Sequence, residues 1–248
     1  MLYQLFSRLE DPGPFRVFQY PSFRVPAAAL PALLLTLWLF PRFIEWLRDF
    51  QHGSSNVRED TPEQHQQKRG TPTMGGLFIL IAVTSATLLW SDLSNVLVWA
   101  VSLVLVGFGA IGFVDDYRKI RRKNSKGLSG KYKLLWQSVI LVSVAALRWS
   151  SSEGWLPGER FVIDTRLAFP FVAVSRFHPD LGLLYFPFAV LVIVGTSNAV
   201  NLTDGLDGLA IGPTIVSALT FLILAYVAGL VITFNADDGE PIDIDSRD

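Results

Sequence analysis

Apolar residues run along this chain in long blocks separated by short polar segments. The blocks have the length of membrane-crossing helices, which need roughly 20 mostly apolar residues each. Six meet or approach that length: Phe23–Phe40, Met74–Trp90, Val96–Val114, Leu134–Leu147, Leu181–Val200 and Leu209–Phe234. The fourth is the weakest by length, and Trp149 and Trp155 would extend it into an interfacial aromatic belt. Pro26 and Pro31 fall inside the first block, where a helix accepts proline near its start or at a kink. The pattern predicts an all-α polytopic membrane helix bundle of about six transmembrane helices, as one membrane domain over residues 1–248. No short-period repeat or low-complexity tract interrupts it.

Composition agrees with the blocks. Half of the residues are hydrophobic (50%) and 17% are charged, against about 25% charged in a soluble domain. Cysteine is absent, which excludes a disulfide framework and thiolate metal ligation. Met1–Asp11 carries Arg8, Glu10 and Asp11 without a long apolar run, so it does not read as a cleavable signal peptide.

The net charge of -1 is uninformative, but its distribution orients the chain. The segments Pro41–Thr73, Tyr117–Lys133 and Asn201–Gly208 fall on one side and carry 13 Lys and Arg residues; the opposite side carries 8. The densest cluster, Arg118 to Lys126, directly follows a span. The positive-inside rule makes that side cytoplasmic and places both termini outside, where the acidic tail Asp237–Asp248 is at ease.

Four polar patches then converge on the cytoplasmic face. Lys68–Gly76 (KRGTPTMGG) opens the second helix, where free N–H groups and the positive dipole end suit phosphate. The same residues also read as an ordinary proline-containing helix start. Gly112–Lys119 (GFVDDYRK) places Asp115 and Asp116 at the expected end of the third helix. There the dipole disfavours carboxylates, so a metal ion or the following basic run must offset them. The plainer reading is a solvated pair neutralised by Arg118 and Lys119. Lys131-Tyr132-Lys133 starts the fourth helix and suits either a bound anion or anchoring to anionic lipid.

The fourth patch, Asn198–Gly208 (NAVNLTDGLDG), joins the fifth and sixth helices. Asn198, Asn201 and Asp204 recur every third residue and can share a face, while Asp207 reads as an N-cap. Polar groups at membrane depth are costly and mark function. Carboxylates for Mg²⁺, lysines for phosphates and amides for hydrogen bonds together suggest phosphoryl transfer to a lipidic acceptor. His52, His65 and His178 stand alone, with no metal-ligand spacing.

The segments Lys68–Gly76, Gly112–Lys119 and Asn198–Ala210, in this helical order, resemble the phospho-N-acetylmuramoyl-pentapeptide transferases, of the polyprenyl-phosphate N-acetylhexosamine-1-phosphate transferase superfamily. The resemblance extends from Tyr20 to about Val231. It implies transfer of phospho-N-acetylmuramoyl-pentapeptide from its UDP-linked precursor to undecaprenyl phosphate, with release of UMP, in a bacterial cytoplasmic (inner) membrane. It implies Mg²⁺ as cofactor, with Asp115, Asp116 and Asp204 as catalytic and metal-binding residues. Lys68, Thr73, Lys119, Lys131, Asn198 and Asn201 would bind substrate. Membrane lipid and a second copy of the chain are further expected partners; nucleic acid is not.

The family has about ten helices, a later acidic M-G-D-x-G-S motif and a histidine-rich loop, and neither of the latter two is found in this sequence. The resemblance therefore covers the N-terminal part of the fold, and the 248 residues are expected not to turn over by themselves. Alternatives are a sibling transferase using UDP-N-acetylglucosamine, an inactive fragment, or an ion transporter. A transporter would show discontinuous helices and repeat symmetry, and no repeat is present.

Overall fold

The computed structural model describes residues 2–7, 13, 17–18, 20–51, 72–122, 127–152, 165–167, 169, 177–203 and 209–237. The chain divides into two compact units, Met1–Arg160 and Phe161–Asp248. Every extended regular element among the described residues is helical.

The first unit holds α1 (Leu2–Ser7), α2 (Pro21–Phe50), α3 (Gly75–Trp90), α4 (Val96–Arg122) and α5 (Gly130–Ser152). Helix α2 packs on α3, α3 on α4, and α4 on α5. The short α1 rests against α3, where Phe6 stacks on Phe18 and Phe18 on Trp90. The second unit holds a 3-10 turn (Gly182–Leu184), α6 (Tyr185–Thr203) and α7 (Ile211–Asp237). All six apolar blocks are thus helices. Three are individually long and apolar enough to cross a membrane, at Ser22–Phe50, Val96–Arg122 and Gly182–Thr203. Gly75–Trp90 and Ile211–Val227 are shorter apolar helices. The chain is an all-α membrane protein, and its large exposed aliphatic and aromatic surface is what a lipid-facing protein presents.

Two helices run further than the apolar pattern indicates. Helix α2 continues past Phe40 through Pro41 to Phe50, 30 residues in all, with Pro26, Pro31 and Pro41 inside it. Pro21 occupies its first turn, where the missing N–H costs nothing. Helix α4 continues past Val114 to Arg122. Asp115 and Asp116 therefore lie about two turns before the helix end rather than at it. The last turn carries Lys119, Arg121 and Arg122, which complement the negative end of the dipole.

Close approach between helices is set by glycine on α4. A Cβ on Gly109 would overlap Leu80 of α3, and one on Gly107 would come within 2.9 Å of Ile140 of α5. The α3–α4 connection is tight: Asp92 Oδ1 accepts the Ser94 N–H at 3.0 Å, and Asn95 Oδ1 accepts the Leu97 N–H at 2.8 Å, capping α4. In the second unit, Arg166 and Asp180 form an isolated antiparallel bridge ahead of α6. The Asp180 carboxylate accepts from the Thr165 hydroxyl and from the Gly182 N–H, and these bonds hold it below the ordinary carboxylate range.

Candidate functional site

The best-defined polar centre of the first unit is built around Asp115, a side chain of α4 that is only 6% exposed. A carboxylate removed from water needs compensating charge and hydrogen bonds. Asp115 finds them in three places. Lys119, one turn later on the same helix, puts Nζ 2.8 Å from Asp115 Oδ2. Lys133 of α5 puts Nζ 2.8 Å from the same oxygen. The Leu128 N–H, in the turn before α5, donates to Oδ1 at 2.6 Å.

This geometry follows from local structure. Residues four apart on a helix are neighbours, which brings Lys119 to Asp115, and its ammonium also reaches Asp116 Oδ1 at 2.8 Å through the three-residue spacing. Ser129 O accepts the N–H groups of Tyr132 and Lys133 at 3.0 and 3.1 Å, so α5 begins at once and places Lys133 in its first turn. Lys133, Gln137, Ile140 and Leu141 recur at helical spacing. Gln137 and Leu141 are buried, and Ile140 faces Gly107. Lys133 therefore lies on the face of α5 turned to α4. Gly127 allows the turn to close, because a Cβ there would overlap Asp115 Oδ1 and lie 2.8 Å from Lys119 Cε.

Of the residues named from the sequence, Asp115, Asp116 and Lys119 come together here. Lys131 is exposed and makes no ion pair among the described residues. The neighbouring Lys133, half-buried and of the same patch, makes the ion pair instead. The signal for it was the buried face of α5, but the opposite, lipid-facing side of that helix is equally apolar and masks it. Thr73 lies just before α3, and the Gln51 side chain holds its backbone through two hydrogen bonds. Gln51 was not visible as part of any motif. In the second unit, Asn198 Nδ2 donates to Val194 O within α6 at 2.8 Å, and Asn201 is exposed on the same helix. Lys68, Asp204 and Asp207 lie outside the described residues.

The donor set can be tested against Mg²⁺. Asp115 has both oxygens committed, Oδ2 to two ammonium groups and Oδ1 to a backbone N–H. It does not fit as a metal ligand in this arrangement. Asp116 does: its side chain is 31% exposed, and it meets Lys119 through Oδ1 alone. Among the described residues no group of three or more His, Cys, Asp or Glu side chains comes together. One carboxylate supplemented by phosphate oxygens and water is nevertheless an ordinary Mg²⁺ environment.

The sequence matches the family model described as Glycosyl transferase family 4 over residues 98–236. It also matches Phospho-N-acetylmuramoyl-pentapeptide-transferase signature 1 over residues 68–80. The first match takes in Asp115, Asp116, Lys119, Lys133, Asn198 and Asn201; the second takes in Lys68 and Thr73. The chain is similar to the phospho-N-acetylmuramoyl-pentapeptide-transferase of Anaeromyxobacter sp. (strain Fw109-5), 54% identical over 242 residues, covering 94% of this chain and 63% of that protein. Its counterpart in Myxococcus xanthus (strain DK1622) is 50% identical over 239 residues, covering 94% and 61%. That of Geobacter sp. (strain M21) is 47% identical over 230 residues, covering 92% and 61%. The chain thus spans less than two thirds of the length of each of these relatives.

Proposed function

Since this chain belongs to glycosyl transferase family 4, we propose that it forms part of an enzyme moving phospho-N-acetylmuramoyl-pentapeptide from its UDP-linked precursor to undecaprenyl phosphate. The phosphate oxygen of the lipid attacks the phosphorus that carries the sugar. The bond between the two phosphates of the donor breaks, and UMP leaves. The lipid ends as a diphosphate-linked sugar pentapeptide. The membrane is the bacterial cytoplasmic (inner) membrane, with the site on its cytoplasmic face.

The observation that supports this reading most is the pair of ammonium groups, from Lys119 and Lys133, that share one oxygen of Asp115. Asp115 and Asp116 balance the two ammonium groups, and Arg121 and Arg122 at the end of the same helix leave the surroundings net positive, so a further anion is favoured there. A phosphate oxygen entering there would accept from one lysine while Asp115 keeps the other oriented. Phosphoryl transfer asks for this preorganised positive charge rather than for covalent chemistry by the protein. Asp115 then acts as the holder of the cationic pair and positions the acceptor phosphate. Asp116, together with substrate phosphates, would hold Mg²⁺, which would supply further charge neutralisation there. Lys68, Thr73 and Lys131 serve the phosphates, and Asn198 and Asn201 the nucleotide. The match to signature 1 favours the muramoyl donor over UDP-N-acetylglucosamine.

The test is UMP release in lipid nanodiscs containing undecaprenyl phosphate and Mg²⁺, with each nucleotide sugar in turn. It uses the chain itself and the chain joined to the remaining segment of the Myxococcus xanthus relative. Release from the muramoyl donor by either form supports the reading. Release from UDP-N-acetylglucosamine alone would establish the sibling activity. Silence from both forms, with the intact relative active beside them, would sink the proposal.

A further inference from the structure

Gln51 is the last residue of α2's capping turn and is 8% exposed. Its backbone N–H bonds the carbonyl of Leu47 at 2.9 Å, and Leu47 is itself fully packed at 2% exposure, so the base of the side chain is fixed. From this base the carboxamide reaches Thr73, 22 positions later in the chain. Gln51 Nε2–H donates to the Thr73 carbonyl at 2.9 Å, and Gln51 Oε1 accepts the Thr73 N–H at 3.0 Å. The Thr73 hydroxyl approaches the same Oε1 at 3.5 Å.

A primary amide has a donor edge and an acceptor edge, and both are used on one residue, as a neighbouring strand would use them. The next residue, Met74, has φ 75 and ψ 15, a left-handed conformation that a non-glycine side chain holds only when its surroundings fix it. Helix α3 begins immediately afterwards. The backbone of residues 73–75 therefore receives its conformation from α2 as well as from its own sequence. These residues fall inside the 68–80 signature segment, whereas Gln51 lies outside it.

We propose that Gln51 is a positioning residue for the nucleotide-sugar donor. Its carboxamide fixes Thr73, and through Thr73 the start of α3, so that the backbone of residues 73–75 meets the donor's diphosphate. This rests on the transferase reading above. The 68–80 segment carries the signature match that favours the muramoyl branch over its sibling; the two branches share a polyprenyl phosphate acceptor and differ in the nucleotide sugar, which is why the donor and not the lipid acceptor is the ligand concerned. A purely structural tie between α2 and α3 would behave differently: its loss lowers thermal stability and weakens both ligands together.

The experiment compares the 248-residue chain with Gln51→Met, which keeps the side-chain length and removes both hydrogen bonds, and with Gln51→Glu, which keeps an acceptor and loses the donor. Binding of UDP-N-acetylmuramoyl-pentapeptide and of undecaprenyl phosphate is measured calorimetrically in nanodiscs, with the thermal midpoint and hydrogen exchange at Thr73 alongside. Gln51→Met should weaken donor binding about tenfold, as expected for two lost neutral hydrogen bonds, and Gln51→Glu by at least as much, because it sets a buried carboxylate against the Thr73 carbonyl. Lipid-phosphate binding should hold, and the Thr73 amide should exchange faster. Unchanged donor affinity in both variants would overturn the inference while leaving the transferase reading in place, and so would equal weakening of both ligands with a lowered midpoint. If Gln51→Met does not fold, Gln51→Glu decides by the same criteria. Where the wild-type chain binds no donor, the same variants are compared in the form joined to the remaining segment of the Myxococcus xanthus relative, and no donor binding there either would remove the transferase reading and this inference with it.

Discussion

Asp115 and Asn198 face the same difficulty, a polar group on a long apolar helix, and they resolve it in opposite ways. Asp115 draws its partners from α4, from α5 and from the turn between them, so its hydrogen bonds join separate elements. Asn198 turns back to the Val194 carbonyl of its own helix. A tertiary solution makes a side chain hard to replace and makes its replacement felt elsewhere. A local solution confines the effect to one helical turn. The three tertiary partners of Asp115 mark it as a residue that organises its surroundings.

The comparison breaks most readily at Asp115. Asp115→Asn keeps the shape but leaves two ammonium groups facing a neutral amide. Removing one partner of a buried pair costs about 3–5 kcal/mol. The lysine side chains here retain 26% and 23% exposure and can turn to water, so roughly 2–3 kcal/mol is expected in reversible unfolding from detergent micelles. In a form that releases UMP, turnover should fall by at least about 10²-fold, a loss that Asp204→Asn should share. Stability and turnover near those of the unmodified protein would show that the cluster organises nothing.

The two lysines of the α5 start sharpen the same point. Lys133→Ala should cost on the order of 1–2 kcal/mol, because Asp115 then keeps a single cation, whereas exposed Lys131→Ala should stay within about 0.5 kcal/mol. Equal effects in a denaturation series would mean that the ion pair across the helices carries no weight. Gly127→Ala pushes a methyl group into Asp115 Oδ1 and should cost about 1–3 kcal/mol through overpacking, with loss of the Leu128 hydrogen bond. Protection of the Leu128 amide from exchange reads that bond directly, and unaltered protection would contradict the packing described.

At the local end of the comparison, Asn198→Ala should change stability by about 0.6 kcal/mol, the average for a polar contact within membrane helices. A loss as large as that of Asp115→Asn would mean that its bond to Val194 is a minor part of its role. The smallest effect concerns Asp180. Its folded-state pKa is lowered by Thr165 and then by Gly182, so its contribution is present above the ordinary carboxylate pKa and disappears as pH falls through the lower, folded value. Protection of the Gly182 amide, taken relative to its intrinsic exchange rate at each pH, should fall only in that acid window and stay constant at neutral pH.

The apolar blocks were enough to locate every helix that bears the site, because a membrane-crossing segment must satisfy its own backbone and announces itself by length. The acidic pair and the lysine patch at the start of α5 were likewise legible as residue types that an apolar environment does not retain without cause. Helix ends were less so. The continuation of α4 to Arg122 and of α2 to Phe50 is written in amphipathic residues whose stabilisation comes from the neighbouring helix and not from hydropathy. The choice of Lys133 over Lys131 depended on which side of α5 meets α4, and on a lipid-facing helix both sides read alike. Gln51 carried no local signal at all. Its role exists only because α2 and the start of α3 are brought together, and a contact across 22 positions is decided by packing and not by the residues on either side of it.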